Sequence, residues 1–194
     1  AIIGAGFSGL GVGAAFRRHD IAFDILEADS QLGGNWYHGV YETAHIISSR
    51  KTTQYGDFPM PEHYGDFPSA AHMLEYLNAY TDHHDIRRYI QFDTRVQHIT
   101  PCDPNGDQWQ ITLAGGDTRI YGGMVIANGH HWDKRWPQYP GTFNGEIIHS
   151  KDYKAPDVLK GKRVLVIGGG NSACDIAVEA ARFAEAAHIS LRRG

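Results

Sequence analysis

Two short glycine-rich turns constrain this chain more than any other feature, because each follows an apolar strand and opens a helix. The first spans residues 4–9 (Gly-Ala-Gly-Phe-Ser-Gly), directly after Ile2 and Ile3. In a Gly-x-Gly-x-x-Gly turn, the first glycine permits the tight bend and the second lets the backbone approach a pyrophosphate. The third lets the helix pack closely on the strand. Because the first N–H groups of the helix are free to bind phosphate, the turn predicts a dinucleotide site.

An acidic residue at the end of the next strand indicates which nucleotide the first turn prefers. Residues 21–26 are predicted to form this strand, and Glu27 follows it. A carboxylate at this position accepts hydrogen bonds from ribose hydroxyls and repels a 2′-phosphate. The first nucleotide is therefore expected to be FAD or NAD and not NADP.

The second turn, residues 168–173, repeats the design after an apolar strand predicted over residues 163–167. Ala173 takes the place of the third glycine, so helix and strand are expected to pack slightly less closely. The alanine-rich sequence that follows predicts a helix over residues 171–187, and residues 188–193 are predicted to start the next strand.

The position equivalent to Glu27 in this second unit falls within residues 190–193, which contain no carboxylate. A guanidinium group can pair bidentately with a phosphate, so Arg192 or Arg193 is predicted to contact a 2′-phosphate. This makes the second turn an NADPH site. The alternative is a solvated pair of arginines at the end of a strand.

The remaining sequence predicts an α/β fold with an inserted β-meander. Helices are predicted over residues 9–19 and from a Ser69 cap to about Tyr80, the second with Met73 and Leu77 in its core stripe. Three alternating stretches predict the meander, and a short apolar strand follows it: residues 92–99, 108–113, 117–121 and 124–127. The aromatic-rich stretch 33–68 is expected to be a functional loop.

The two ends of the sequence suggest a fragment cut at both ends. Residues 1–3 supply only the tail of a strand, and the strand near residue 190 has hardly begun. We expect a first nucleotide-binding domain over residues 1–157 and a truncated NADPH-binding domain over residues 158–194.

Composition argues against several other classes of protein. With 18 basic and 22 acidic side chains and no basic run, a nucleic-acid partner is not expected. No apolar stretch reaches the roughly 20 residues that a membrane helix needs. The twelve histidines lack metal-ligand spacing, so no metal site is expected. Cys102 and Cys174 form no Cys-x-x-Cys pair, which is typical of free thiols in a reducing cytoplasm. The oligomeric state is not readable.

Further motifs resemble two groups of flavoproteins. Glu27 followed by the pair Gly33-Gly34 resembles the extended FAD signature of the glutathione-reductase type. Residues 143–154 fit Phe-x-Gly-x-x-x-His-x-x-x-Tyr-Lys, which resembles the fingerprint of class B flavoprotein monooxygenases. Baeyer–Villiger enzymes usually carry Trp and then Pro or Asp where this chain has Tyr153-Lys154. The chain is therefore most similar to flavin-containing monooxygenases of the dimethylaniline monooxygenase type.

This resemblance implies a fold, cofactors and a reaction. The fold is α/β, with two Rossmann-like dinucleotide-binding units of the glutathione-reductase type. The resemblance implies that residues 1–157 form an FAD-binding domain, which lacks the C-terminal return that completes it in the resembled fold. The implied cofactors are FAD and NADPH: NADPH reduces FAD, and O₂ then gives a C4a-hydroperoxyflavin. A small-molecule substrate with a soft nitrogen or sulfur nucleophile takes one oxygen atom. Two alternatives stay open, namely a Baeyer–Villiger monooxygenase and an inactive fragment that only binds nucleotides.

The glycine turns and the resemblance together predict the site residues. The predicted FAD contacts are Gly4, Ala5, Gly6, Phe7, Ser8, Gly9, Glu27, Gly34, Asn35, Trp36, Ser49, Val96 and Gly129. The predicted NADPH contacts are Gly168, Gly170, Asn171, Ser172, Ala173, Asp175, Arg192 and Arg193. The fingerprint residues are Phe143, Gly145, His149, Tyr153 and Lys154.

Two single residues receive special roles from the resemblance. His149 of the fingerprint is expected to couple the two nucleotide domains, with a linker histidine that stabilises a turn as the alternative. Flavin-containing monooxygenases usually have an Asn near the flavin and NADP⁺ where this chain places Ser48. A serine offers one hydroxyl in place of an amide, so less efficient oxygenation and release of H₂O₂ are expected.

Overall fold

The computed structural model describes residues 1–192, and their contacts divide the chain into two compact units. Unit 1 comprises Ala1–Gly39 and His45–Trp132, and unit 2 comprises Val40–Ala44 and Asp133–Gly194. The contacts thus change after Trp132, whereas the sequence led us to expect a domain boundary after residue 157. The assignment of one domain to FAD and the other to NADPH remains a prediction.

Unit 1 is built on a parallel sheet of four short strands. The strands are β1 (Ile2–Ile3), β2 (Ile25–Leu26), β3 (Ile90–Gln91) and β7 (Val125–Ile126). Their order is β3-β2-β1-β7, so the first strand lies in the middle of the sheet. Because β2, β1 and β7 are followed by loops at the same edge, the glycine turn and Glu27 meet there.

Two helices of unit 1 pack against each other and contribute to its main core. They are α1 (Phe7–Arg18) and α3 (Ala70–His83). Ser69 caps α3, since its Oγ accepts a hydrogen bond from the His72 amide at 3.2 Å. The predicted stripe of Met73, Leu77 and Tyr80 is buried in the core, which confirms that interpretation.

The predicted meander is present as an antiparallel sheet in unit 1. Its strands are β4 (Val96–Pro101), β5 (Trp109–Leu113) and β6 (Thr118–Tyr121). The single strand predicted over residues 92–99 is wrong. The chain instead leaves the parallel sheet after Gln91, turns at Asp93 with a φ of 52°, and starts β4 at Val96.

Unit 2 contains one strand–helix–strand repeat. It consists of β8 (Arg163–Ile167), α4 (Asn171–Phe183) and β9 (Ala186–Ser190), and the two strands pair in parallel. The strand predicted over residues 163–167 is confirmed, but the helix predicted to residue 187 ends at Phe183. The Glu185 amide donates to the Lys162 carbonyl at 2.9 Å, and residues 186–190 pair with β8 instead of extending the helix.

No helix within residues 1–192 is long and apolar enough to cross a bilayer. The predicted functional loop contains three short helical segments: Asn35–Gly39, α2 (Arg50–Thr53) and Glu62–Tyr64. In unit 2, a 3-10 turn at Pro156–Leu159 packs on α4.

Gly9→Ala is expected to destabilise unit 1 strongly. A Cβ at Gly9 would overlap the carbonyl oxygen of Gly4, and backbone cannot move aside as a flexible side chain can. We expect a loss of about 3 kcal/mol, at the upper end of overpacking effects. The matched control is Gly56→Ala, where a Cβ meets nothing within 4 Å. Chemical unfolding of the two variants checks this, and equal midpoints would contradict the packing argument.

Candidate functional site

Close backbone contacts at the first glycine turn leave no space for a side chain at Gly4. Gly4 has a φ of +103°, and a Cβ there would lie 2.6 Å from the carbonyl oxygen of Ala127, just after β7. Gly6 precedes α1 and supplies no side-chain cap, and the first turn of α1 carries no acidic residue. The amides of Phe7, Ser8 and Gly9 therefore lack intrahelical acceptors at an uncapped, positive helix end, which suits a pyrophosphate.

Glu27 is joined directly to this turn. Its Oε2 accepts a hydrogen bond from the Ala5 amide at 2.6 Å, and its Oε1 accepts one from the Asp29 amide at 2.9 Å. The residue is only 6% exposed, so both hydrogen bonds lie in a shielded environment. Each carboxylate oxygen keeps a further lone pair, so Glu27 can still accept a ribose hydroxyl as the sequence predicts.

The Gly33-Gly34 pair packs on the opposite side of the same turn. The Gly33 amide donates to the Ala5 carbonyl at 2.9 Å. Gly34 has a φ of +55°, and a Cβ there would lie 3.3 Å from the Cα of Gly6. Asn35 and Trp36 start the single helical turn that follows. The two glycine segments thus lie in close backbone contact beside the uncapped start of α1.

Sequence reasoning missed Tyr55, which contacts the first turn most directly. Its hydroxyl donates to the Phe7 carbonyl at 2.5 Å, and its ring stacks on the Phe7 ring at a centroid distance of 4.3 Å. Tyr80 of α3 stacks on the Tyr55 ring at 3.8 Å. The Tyr55 amide also donates to the Tyr76 hydroxyl at 2.8 Å. These contacts fix the Tyr55 ring beside the glycine turn.

The density of aromatic residues between positions 33 and 68 was the only sequence signal for this contact. Burial raises the pKa of Tyr55 far above its usual range, with the neighbouring tyrosines adding to the shift. The hydroxyl therefore stays protonated and remains a donor to the Phe7 carbonyl at neutral pH.

The other predicted FAD residues lie outside the first glycine turn. Ser49 precedes α2, and its Oγ lies 3.1 Å from Thr52 Oγ1. Ser48 is exposed, and its hydroxyl lies 2.6 Å from Thr53 Oγ1. Val96 starts β4 and packs against the core around Ile3 and Leu26. Gly129, with a φ of +75°, follows β7 two residues after Ala127.

The second turn reproduces the backbone geometry of the first. The Gly168 amide donates to the Ser190 carbonyl at 3.0 Å, as the Gly4 amide donates to the Leu26 carbonyl at 2.9 Å. Gly168 has a φ of +126°, and Gly170 precedes α4 without a side-chain cap. The amides at the start of α4, from Asn171 to Ala173, are therefore available to an anion in the same way.

The looser packing expected at Ala173 stays a prediction. A Cβ at Gly168 would lie 3.7 Å from the Ala173 Cβ, an ordinary van der Waals contact. In the first turn, by contrast, a Cβ at Gly9 would overlap the Gly4 oxygen.

The equivalent hydrogen bonds also define which residue corresponds to Glu27. Since Ser190 matches Leu26, Leu191 matches Glu27, and Arg192 comes one position later. Arg192 is exposed just beyond the end of β9, and the strand end carries no carboxylate. Arg193, the other predicted phosphate contact, lies outside the described residues.

The fingerprint residues of unit 2 have distinct surroundings. Phe143 is exposed, and its ring occupies the space where a Cβ on Gly145 would lie. His149 Nδ1 accepts a hydrogen bond from the Lys151 amide at 3.1 Å, and the His149 carbonyl accepts one from the Asp152 amide at 2.8 Å. The local role of His149 is thus to stabilise a turn, and a coupling role remains a prediction.

Tyr153 and Lys154 contact other parts of unit 2. Tyr153 is buried, and its hydroxyl donates to Glu179 of α4. Lys154 Nζ donates to the Val40 carbonyl at 3.4 Å. Asp175, predicted to contact NADPH, accepts a hydrogen bond from the Tyr41 hydroxyl at 2.5 Å.

Within residues 1–192, no group of three His, Cys, Asp or Glu side chains could bind a metal ion. The described residues offer two places that could hold a dinucleotide, each at an uncapped helix start next to a parallel strand.

A family model described as flavin-binding monooxygenase-like matches residues 1–194, the whole chain. This chain belongs to that family. It is 33% identical over 212 residues to flavin-containing monooxygenase 3 of Rattus norvegicus, covering 100% of this chain and 40% of the relative. The chain thus spans less than half the length of this relative. The family is one of NADPH-dependent flavoprotein monooxygenases that use FAD.

Solved structures of flavin monooxygenases share the fold. S-allyl-L-cysteine S-oxygenase from Allium sativum superposes with a TM-score of 0.89 and 26% identity, covering 98% of this chain and 50% of that one. The OTEMO complex with FAD and NADP superposes with a TM-score of 0.81 and 27% identity, covering 98% and 38%. The expected fold of two dinucleotide-binding units is therefore confirmed.

Tyr55→Phe in the full-length protein is expected to weaken FAD binding roughly fivefold, because it removes one hydrogen bond to the Phe7 carbonyl and keeps the ring. Titration of the FAD-free protein with FAD measures the dissociation constant. The matched control is Tyr121→Phe, which removes a hydrogen bond of 2.8 Å to Asp24 on the meander side. An equal change in both variants would show that Tyr55 has no special role at the turn.

Proposed function

We propose that the full protein is an NADPH- and FAD-dependent monooxygenase that transfers one atom of O₂ to a soft nitrogen or sulfur nucleophile. One observation carries the proposal: two turns with the same backbone geometry end in opposite charges. The first strand end carries the buried carboxylate of Glu27, and the second carries the exposed guanidinium of Arg192. This difference suits one nucleotide without a 2′-phosphate and one with it.

In this proposal the residues of the chain bind and orient two cofactors. Glu27 accepts the ribose hydroxyls of FAD, and the uncapped amides of α1 bind its pyrophosphate. The uncapped amides of α4 bind the pyrophosphate of NADPH, and Arg192 with Arg193 pairs with the 2′-phosphate. When bound, the two cofactors supply hydride transfer and the activation of O₂. The remaining residues predicted for each cofactor keep those roles as proposals.

The domain assignment belongs to the same proposal. Residues 1–157 contribute to the FAD-binding domain and residues 158–194 to the NADPH-binding domain. A reducing cytoplasm is the proposed compartment, with support from Cys102 and Cys174, which are both free thiols.

The proposed substrate is a small molecule with a thioether or a tertiary amine. The structural likeness to an S-allyl-L-cysteine S-oxygenase favours sulfur among these. Ser48 bears on the efficiency of the reaction, because its hydroxyl lies 2.6 Å from the Thr53 hydroxyl. An engaged hydroxyl has less capacity to replace the amide that the family usually has there, so some reducing equivalents are expected to leave as H₂O₂.

Arg192→Gln is expected to raise the KM for NADPH roughly tenfold and to leave the KM for NADH unchanged, since it removes a charge-assisted hydrogen bond to the 2′-phosphate. Steady-state kinetics of the full-length protein with each coenzyme measure this. Arg163→Gln is the matched control, because Arg163 is exposed at the opposite end of the neighbouring strand β8. A parallel rise for both coenzymes would argue against 2′-phosphate recognition at Arg192.

The substrate class is tested by NADPH consumption of the full-length, FAD-loaded protein with a thioether, a tertiary amine and a cyclic ketone. We expect substrate-dependent consumption, with a sulfoxide or N-oxide as product and part of the electrons in H₂O₂. Conversion of the ketone to a lactone without N- or S-oxide formation would instead identify a Baeyer–Villiger enzyme. H₂O₂ as the sole product with every substrate would refute oxygen transfer.

A further inference from the structure

Two carboxylates lie one turn apart on the same face of α4. They belong to Asp175 and Glu179, and like charges at this spacing disfavour a helix unless donors compensate them. Glu179 is only 6% exposed, which makes its charge costly in the absence of strong hydrogen bonds. A buried carboxylate in the middle of a helix therefore requires an explanation.

Three hydroxyl groups of unit 2 compensate these carboxylates. Glu179 accepts hydrogen bonds from Thr43 on Oε1 and from Tyr153 on Oε2, so each of its oxygens has its own donor. Asp175 Oδ2 accepts one from the Tyr41 hydroxyl at 2.5 Å. We call these five residues the hydroxyl–carboxylate cluster.

The two tyrosines are reliable donors at neutral pH. Burial raises the pKa of Tyr153 and of Tyr41, and the hydrogen bond that each makes to its carboxylate raises it further. Both hydroxyls therefore keep their protons over the physiological range and remain donors to the two carboxylates.

The donors come from two segments that are joined to each other. Residues 40–44 supply Tyr41 and Thr43, and the end of the fingerprint supplies Tyr153. The Glu42 amide donates to the Lys154 carbonyl at 2.9 Å, and the rings of Tyr41 and Tyr153 pack at a centroid distance of 5.8 Å. The two segments thus contact α4 as one layer.

The cluster reaches the first turn of α4. The Ser172 side chain interacts with the Tyr41 hydroxyl and partly offsets the rise of the Tyr41 pKa, and Ser172 is the second residue of the helix. Apolar contacts alone leave a helix some freedom to rotate about its axis, whereas directional hydrogen bonds at two levels fix its rotation. The rotation of α4 determines where the uncapped amides after Gly170 point.

We propose that the hydroxyl–carboxylate cluster is a positioning device for NADPH, in which Tyr41, Thr43 and Tyr153 fix α4 so that its first amides face the pyrophosphate. The proposal rests on the function proposed above. It assigns to Tyr153 of the fingerprint a role at the second glycine turn, residues 168–173. Asp175 and Glu179 are then positioning residues, and none of the five has to touch the coenzyme.

Thr43 offers the sharpest test, because valine has its shape and lacks the hydroxyl, while serine keeps the hydroxyl. In the full-length, FAD-loaded protein, Thr43→Val is expected to raise the dissociation constant for NADP⁺ roughly fivefold, and Thr43→Ser is expected to restore it. Tyr153→Phe and Tyr41→Phe are expected to act in the same direction. Tyr139→Phe is the control, because Tyr139 lies in the same unit and is 62% exposed.

Calorimetric titration with NADP⁺ gives the dissociation constant without any turnover, and the bound FAD and the melting temperature are measured on the same samples. The proposal expects weaker NADP⁺ binding at unchanged FAD content, with a higher KM for NADPH and a nearly constant kcat. Lower melting temperatures with an unchanged NADP⁺ constant would overturn it, because the cluster would then serve stability alone.

Hydrogen exchange supplies a second measurement should Tyr153→Phe or Tyr41→Phe fold poorly. Thr43→Val is expected to speed amide exchange in residues 171–175, and unchanged exchange there together with unchanged NADP⁺ affinity would also overturn the proposal.

A parent protein that binds no NADP⁺ would refute the proposed function itself, and the positioning role with it. A parent that binds NADP⁺ as tightly as all the variants would refute only the positioning role.

Discussion

The contact between Gly9 of α1 and the backbone of Gly4 is the constraint on which unit 1 depends. Two backbone segments meet there with no space for a Cβ, and Gly4 is in turn pressed against the carbonyl of Ala127. Strand β1, helix α1 and the end of strand β7 are therefore brought together at one point. A phosphate group at the start of α1 would meet backbone N–H groups, because Gly4, Gly6 and Gly9 carry no side chains.

The second unit uses the same plan with a less demanding fit. Ala173 takes the position of Gly9, so the second unit carries a methyl group where the first has no space for one. The proposed difference in nucleotide specificity between the two sites rests on the residues just beyond the second strand of each unit. Glu27 points its carboxylate back into the turn and is satisfied by two amides, whereas Arg192 extends from an exposed strand end.

Features with a local cause could be read from the sequence. The Ser69 cap, the buried stripe of α3 and the strand over residues 163–167 each depend on a few neighbouring residues, and all three are present. The helix predicted to residue 187 shows the limit of local signals. Its alanines favour a helix, but pairing of residues 186–190 with β8 satisfies more backbone groups and prevails.

The contacts of Tyr55 and of the hydroxyl–carboxylate cluster could not be predicted in this way. Tyr41 and Asp175 are 134 positions apart, and Thr43 and Glu179 are 136 apart, so no periodicity or spacing links them. A hydroxyl in a loop and a carboxylate on an amphipathic helix each look like ordinary surface groups. Only the three-dimensional arrangement shows which hydroxyl group donates to each carboxylate.

Residues 40–44 belong by their contacts to unit 2, although the chain on both sides of them belongs to unit 1. The two units are therefore not separable by a single cut in the chain. In a chimera that exchanges unit 2 between two relatives, α4 would contact a segment from the other relative unless residues 40–44 were exchanged together with it. For the same reason, an exchange that preserves the hydrogen bonds of Asp175 and Glu179 has to include positions 41 and 43, since unit 2 is discontinuous in sequence.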